Sequence, residues 1–345
     1  MKIHLFDCDP RAKTDPTYPS TAGSFGVVSI EINKALQKIG HYSEPDDADF
    51  VGISDGLNLS WKYKNKPAFI IHVWDVINSL THFHLAQYQQ SRPRIFGLSN
   101  QVGQLWAKYG IECPTVHGGC NVNFWDKSRK YNDKFTFLHV NFTNVRSGFD
   151  LLLRAFDLGF RGDPNVKLIV KNTEDNPKLR EMIKSFNFGN IEYLTGRKSF
   201  EEMRDLYSQS HCLVNVVRHS SLGLPLLEGA ACRCLPVAGD FCPSNEMVMP
   251  EYGVLIKPSK AISIREKVPE LVNTYGLTDC YGNLEHTEEP LFYDYNVEEY
   301  ASKLVDIYKN WDSQYSVRAA YARMAVIRKF NWTDSAAKLV EYLSD

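Results

Sequence analysis

Short apolar runs alternate with amphipathic stretches along this chain, and they do so in two successive series. The runs KIHLF (2–6), ADFVGIS (48–54), AFIIHVW (68–74), RIFGLS (94–99) and PTVHG (114–118) are short, β-rich and bounded by turn residues, which predicts strands. Between the first two, residues 26–41 place Val28, Ile32, Ala35, Leu36 and Ile39 on one helical face, with Gly40 as the stop. The second series reads FTFLHVN (135–141), VKLIVKN (166–172), IEYLT (191–195), CLVNVV (212–217), CLPVAG (234–239) and GVLIK (253–257). Helical patterns separate its members, among them SGFDLLLRAFDLG, KLREMIKSF, SFEEMRDLYSQ and the run from Pro225. Strands separated by helices form parallel sheets with right-handed crossovers. Two series therefore predict an α/β chain of two doubly wound, Rossmann-like domains, and 345 residues suffice for both. The polar, non-periodic segment WDKSRKYNDK separates them, which sets residues 1–128 apart from residues 129–315.

Such sheets bind ligands outside the carboxyl ends of their strands, so the loops after strands carry the chemistry. After the first strand, DCDPRAKTDPTYPSTAGSFG brings Gly23 and Gly26 to a helix start, where a backbone can approach an anion closely. IIHVWDVINS puts His72 and Asp75 at a strand end, where a histidine faces the cleft or is a satisfied core side chain. TVHGGCNVNFW places two glycines after a strand. In the second series, Arg146 and Gly148 precede a helix, and the Arg146 guanidinium can hold a phosphate by charge and fork geometry.

The richest stretch is HSSLGLPLLEGAACRCLPVAGD (219–240). Gly223 permits a tight turn and Pro225 suits the first turn of a helix, whose N-terminus then favours an anion. Glu228 lies about one turn on, and a carboxylate there suits the two hydroxyls of a ribose better than it suits a phosphate. Anion-binding backbone beside a diol-binding carboxylate describes a nucleoside-diphosphate site.

These residues resemble the donor-site motif of retaining glycosyltransferases with the GT-B fold, glycosyltransferase family 4. That motif reads E-G-F-G-L-P-L-L-E before a small-residue helix and a strand; this chain reads SSLGLPLLEGAACRCLPVAGD. The similarity continues in order along the chain through SFGVVSIEINKALQKIGH, IIHVWD, LSNQVGQLWAKYGIECPTVHGGCNVNFW, RSGFDLLLRAF, PNVKLIV and FNWTDSAAKLVEYL. The resemblance implies two domains facing each other across a cleft, with residues 316–345 crossing back to the first. It implies that Glu228 binds the ribose, that Gly223, Leu224 and Pro225 form the loop beneath sugar and diphosphate, and that His72 faces the sugar. Gly23 and Gly26 would approach the diphosphate or the acceptor. It implies a hexosyl transfer with retention from a nucleotide sugar (UDP or GDP as the base carrier) to a glycan, lipid-linked or small-molecule acceptor, with no metal and no other cofactor. A leaving diphosphate is then stabilised by helix N-termini and basic side chains.

Three positions depart from the family pattern. Ser220 stands where the motif has its first Glu, and Phe142 and Ser147 stand where the phosphate-binding Arg and Lys would be. Arg146, Arg218, Lys171 and Arg197 are the nearby cations that can compensate. Those departures motivate a second reading, a catalytically silent nucleotide or sugar binder. Fold analogy alone motivates a third, a phage-type DNA-modifying glycosyltransferase, for which RAAYARMAVIRK (318–329) is the basic run. The charge balance, 39 basic against 41 acidic residues, speaks against duplex DNA or an anionic membrane as partner. The opening MKIHLFDCD has no signal-peptide core, and no window approaches the roughly 20 apolar residues of a membrane span. Eight cysteines form no CxxC pair, and several fall inside apolar runs, as buried reduced thiols do. A cytoplasmic protein is expected. Tyr18, Trp61, Trp74 and Trp125 are the aromatics able to stack on an acceptor sugar.

Overall fold

The computed structural model describes all residues except 8–23, 55–64, 75, 143, 186–188, 221, 278 and 280–282. Gly23, Asp75, Tyr18 and Trp61, singled out above, lie outside the described residues, as do Cys8 and Cys280. The first sheet is β1 (Ile3–Phe6), β2 (Phe50–Ser54), β3 (Ala68–His72) and β4 (Arg94–Gly97), in that spatial order and parallel throughout. Helix α1 (Ser24–Lys38) joins β1 to β2, and α2 (His82–Ser91) and α3 (Asn100–Ala107) flank β4 in sequence. The predicted strand 114–118 is reduced to one parallel bridge, Gly97 to Thr115, because Gly118 and Gly119 leave the sheet to meet other elements.

The second sheet has six parallel strands in the order β10 (Val254–Ile256), β9 (Leu235–Gly239), β8 (Cys212–Asn215), β5 (Phe135–Asn141), β6 (Val166–Asn172), β7 (Ile191–Leu194). The connecting helices are α4 (Phe149–Phe160), α5 (Pro177–Ser185), α6 (Phe200–Gln209), α7 (Leu224–Ala231) and α8 (Ser244–Met247). Strand alternation sorts the side chains onto two cores. Phe137, Val170 and Val214 face α4 and α10 (Val297–Lys309) through Phe149, Phe156, Tyr300 and Leu304. Leu138, Ile169 and Leu213 face α6 and α7 through Tyr207, Leu226 and Leu227. An antiparallel ribbon, β11 (Lys260–Ser263) with β12 (Leu291–Asp294), and helix α9 (Ile264–Tyr275) extend this half toward the first.

Four features tie the halves together. Helix α11 (Ser316–Lys329) packs on α7, and α12 (Trp332–Ser344) then lies against α1, so that Trp332, Ala336 and Leu339 complete a core with Val28, Ile32, Ile71 and Phe96. Leu222, from the loop before α7, and Leu224, the first residue of α7, enter that same core. Residues 285–291 run along residues 78–82, with the His82 N–H donating to Glu285 O at 2.9 Å and the Thr287 N–H to Leu80 O at 2.9 Å. Finally, Glu246 of α8 accepts from Asn100 Nδ2 at 2.9 Å across the cleft.

Candidate donor site

The carboxyl edges of β5 and β8 meet through their loops, the Arg218 N–H donating to Arg146 O at 2.8 Å. The loop after β8 ends at Gly223, the cap of α7, whose φ of +63° is the left-handed region that favours glycine. Pro225 starts the helix and has no N–H to offer, and the Leu226 N–H is used by Gly223 O at 2.9 Å. Among the described residues the backbone N–H groups of Gly223 and Leu224 are therefore the ones left at this helix start to face an anion. Leu224 contributes nothing else, because its side chain is buried in the first half's core.

Glu228 is partly buried on α7, and the Tyr207 hydroxyl of α6 donates to its Oε2 at 3.0 Å. Burial pushes its carboxyl up to about 7, and the Tyr207 hydrogen bond works against that rise. Tyr207 is a partner that sequence reasoning missed, twenty-one residues away on another helix. Arg146 is half-buried, and its Nη1 donates to His219 O at 3.3 Å, which holds the guanidinium beside the loop. Ser220 is half-buried in that loop. Arg146, Ser220 and Gly223 follow β5 and β8 at the carboxyl edge of the second sheet, and Glu228 lies one turn further into α7.

Three expectations are corrected by the geometry. Arg218 is not available to a phosphate: its side chain is 0% exposed and makes a bidentate pair with Asp150, at 2.6 and 2.7 Å. His72 does not face an open cleft. It is 1% exposed, and its Nδ1 accepts from the Trp106 indole at 3.0 Å. His84 and Trp74 cover the ring, at 5.1 and 6.4 Å between centroids. Burial and the neighbouring His84 hold the His72 imidazole well below its usual range, so it is neutral. Gly26 lies inside α1, buried, and not in the loop before it. Gly118 and Gly119 serve packing: a Cβ at Gly118 would fall 2.8 Å from Leu222 Cδ1, and one at Gly119 would fall 2.6 Å from Trp332 N. Trp125 is buried against Tyr207 and Phe200, and Trp74 is packed between His72 and His84.

Phe142 is 44% exposed, whereas Ser147 is buried and its hydroxyl donates to Asn144 O at 2.7 Å. Neither position offers charge. Among the described residues no group of three or more His, Cys, Asp or Glu side chains is placed to hold a metal ion. Among them, too, no helix is long and apolar enough to cross a membrane. Cys113, Cys120, Cys212, Cys232 and Cys234 are buried thiols.

This arrangement has known counterparts. Residues 123–283 match the family of glycosyl transferases group 1. Over that segment the chain is similar to the group 1 glycosyltransferases, and its two parallel-sheet halves have the GT-B architecture of the solved structures it resembles. A glycosyltransferase of Methanocaldococcus jannaschii, itself uncharacterized, is 32% identical over 173 residues. That match covers 48% of this chain and 46% of the relative, so the chain spans about half the length of the curated relative it matches. Among solved structures, a glycosyltransferase from Rickettsia africae superposes with a TM-score of 0.68 at 14% identity, over 99% of this chain and 96% of that one. Anabaena HepE in complex with UDP gives 0.68 at 13% identity over 100% of both chains. The pneumococcal O-GlcNAc transferase GtfA in complex with UDP and GlcNAc gives 0.60 at 14% identity, over 86% of this chain and 56% of that one.

Proposed function

We propose that this protein is a retaining glycosyltransferase that moves a hexosyl group from a nucleoside-diphosphate sugar to an acceptor hydroxyl without a metal. One observation carries the reading. In the group 1 segment, a helix N-terminus capped by Gly223 stands one turn from a carboxylate, Glu228, that is held in place by Tyr207. The ribose hydroxyls donate to Glu228. The diphosphate takes the N–H groups of Gly223 and Leu224 and the Arg146 guanidinium. Ser220 hydrogen-bonds a sugar hydroxyl. As the glycosidic bond to the diphosphate breaks, fixed donors stabilise the charge that develops on the leaving oxygen. That oxygen takes the proton of the acceptor hydroxyl attacking from the same face, so no protein nucleophile is needed. His72, neutral and enclosed, orients Trp106 and the wall of the first half instead of touching substrate. The described buried thiols and the near balance of charge support a cytoplasmic setting and a glycan, lipid-linked or small-molecule acceptor. UDP is the first donor base to test, because HepE and GtfA were solved with it.

The test is thermal stabilisation by UDP, GDP, ADP and TDP and their sugar conjugates, in wild type and in Glu228→Ala. A donor at about 100 times its Kd stabilises by about 2.7 kcal/mol. One nucleotide shifting the wild type and not the variant supports the reading, and product anomers by NMR with EDTA present then read retention and metal independence. Exposed Phe142 and buried Ser147 favour one alternative, a silent binder. Nucleotide binding with no turnover of any conjugate would establish it.

A further inference from the structure

Arg233 is held in a conformation that its side chain disfavours. It follows α7 at a left-handed φ of +62°, a position after a helix where glycine is the usual residue. Its guanidinium takes no part in ending that helix. Arg323 Nη1 donates to Ala231 O at 2.8 Å and Arg129 Nη1 to Cys232 O at 3.1 Å, so two other arginines serve the last carbonyls of α7. Arg233 Nη1 does reach Asp126 Oδ1 at 2.9 Å, but the two side chains are 35% and 46% exposed, and an ion pair so exposed contributes little. Asp126 is also shared, its Oδ2 lying 3.0 Å from Arg323 Nη2. Asp126, Ser128, Arg129 and Arg233 line an open cavity of about 470 Å³. The first three precede β5 and Arg233 precedes β9, so the cavity lies at the amino edge of the second sheet, opposite the candidate donor site. Arg129 is fixed there. Its Nη2 donates to Ser210 O at 2.6 Å, and its guanidinium lies 4.2 Å from the centre of the Tyr131 ring. Its Nε is buried and has no hydrogen-bond partner among the described residues. Among those residues the hydrogen bonds of Arg233 all leave from Nη1, which keeps Nη2 and Nε for another acceptor. The lining thus sets two guanidinium groups and a hydroxyl against one carboxylate, itself divided between two arginines.

We propose that this cavity is a second anion site, which binds the phosphate group of a small molecule through Arg233, with Arg129 and Ser128 beside it. Guanidinium forks match phosphate oxygens in charge and geometry, and the Ser128 hydroxyl adds a donor. The volume is that of several waters, at about 30 Å³ each, so the phosphate of an ester fits together with the group that carries it. The site stands at the far edge of the sheet from Gly223 and Arg146, and it does not depend on the nucleotide-sugar reading.

The experiment is modification of the full chain by phenylglyoxal, read arginine by arginine by mass spectrometry, in chloride, inorganic phosphate or malonate at one ionic strength. Arg233 is expected to react about tenfold more slowly in phosphate than in chloride, as engagement in charged hydrogen bonds requires. Arg265, 45% exposed and paired with Glu289, is the internal reference and is expected to react alike in both. Equal reactivity of Arg233 in phosphate and chloride overturns the site. Protection by malonate and not by phosphate overturns the choice of phosphate. A second measurement uses Arg233→Gly, which suits the left-handed φ and so folds. It is made in Arg146→Gln protein, so that phosphate held at the donor edge does not contribute. Arg233→Gly is expected to raise Tm in chloride and to lose most of the further rise that phosphate gives its Arg146→Gln parent. A purely structural Arg233 would instead give a lower Tm in chloride and an unchanged rise with phosphate, and that result overturns the proposal.

Discussion

Glu228 works between two demands. For the ribose contact proposed above it must be ionised, yet burial holds its carboxyl up at about 7. The protonated form is favoured by folding, so its contribution to stability is present below pH 4.5 and is lost as pH rises through 7. Glu228→Gln is therefore expected to raise Tm at pH 8 and leave it unchanged at pH 4.5, in melting curves at both pH values. Its UDP affinity, read by calorimetry, is expected to fall roughly 10- to 100-fold at pH 8. Arg218 makes the opposite case. Arg218→Met strands Asp150 and is expected to cost about 3–5 kcal/mol in denaturant unfolding. Arg218→Lys is expected to rescue little of it, because one ammonium cannot reproduce the bidentate pair. The sequence shows Arg218 and Glu228 as chemistry-bearing residues, but not which is locked away. That depends on Asp150 and Tyr207, partners 68 and 21 residues off that no local pattern connects.

At the scale of elements, the loop into α7 is the most legible part of the chain. Gly223 and Pro225 are read from local backbone chemistry, and the structure places them as cap and first turn. Gly223→Ala puts a side chain at φ +63° and is expected to cost about 1 kcal/mol or more, measured by denaturant unfolding. Its Cβ would also meet Met247 Sδ at 3.2 Å, so UDP affinity is expected to fall with stability. The central strands of the second sheet, β8 and β9, are readable because they are buried on both faces and so read as continuous apolar runs. The β11–β12 ribbon was not, because its KAIS strand is half-exposed and short. The strand expected at 114–118 fails for a different reason: a β-rich run gives way to packing against Leu222 and Trp332, which lie far off in sequence.

At the scale of the molecule, four buried histidines set the acid limit. Burial lowers His72 well below its ordinary range and holds His84, His139 and His211 at about 4. Their unfolded forms bind protons first, so their share of stability is complete above pH 6.5 and is lost as pH falls toward 4. Tm is expected to drop steeply over that window, opposite in sign to the Glu228 effect, and double substitution of His84 and His211 by Gln or Phe is expected to flatten the drop.

The crossing helix α12 has a consequence in time. Val28, Ile32 and Ile71 are synthesised early, but the side chains that close their core, Trp332, Ala336 and Leu339, follow the whole second half. At about 5–20 residues per second the early half waits on the order of ten seconds or more on the ribosome with that face uncovered. The half that carries Glu228 can assemble its own sheet first and then deliver, through α12, the last piece of its neighbour.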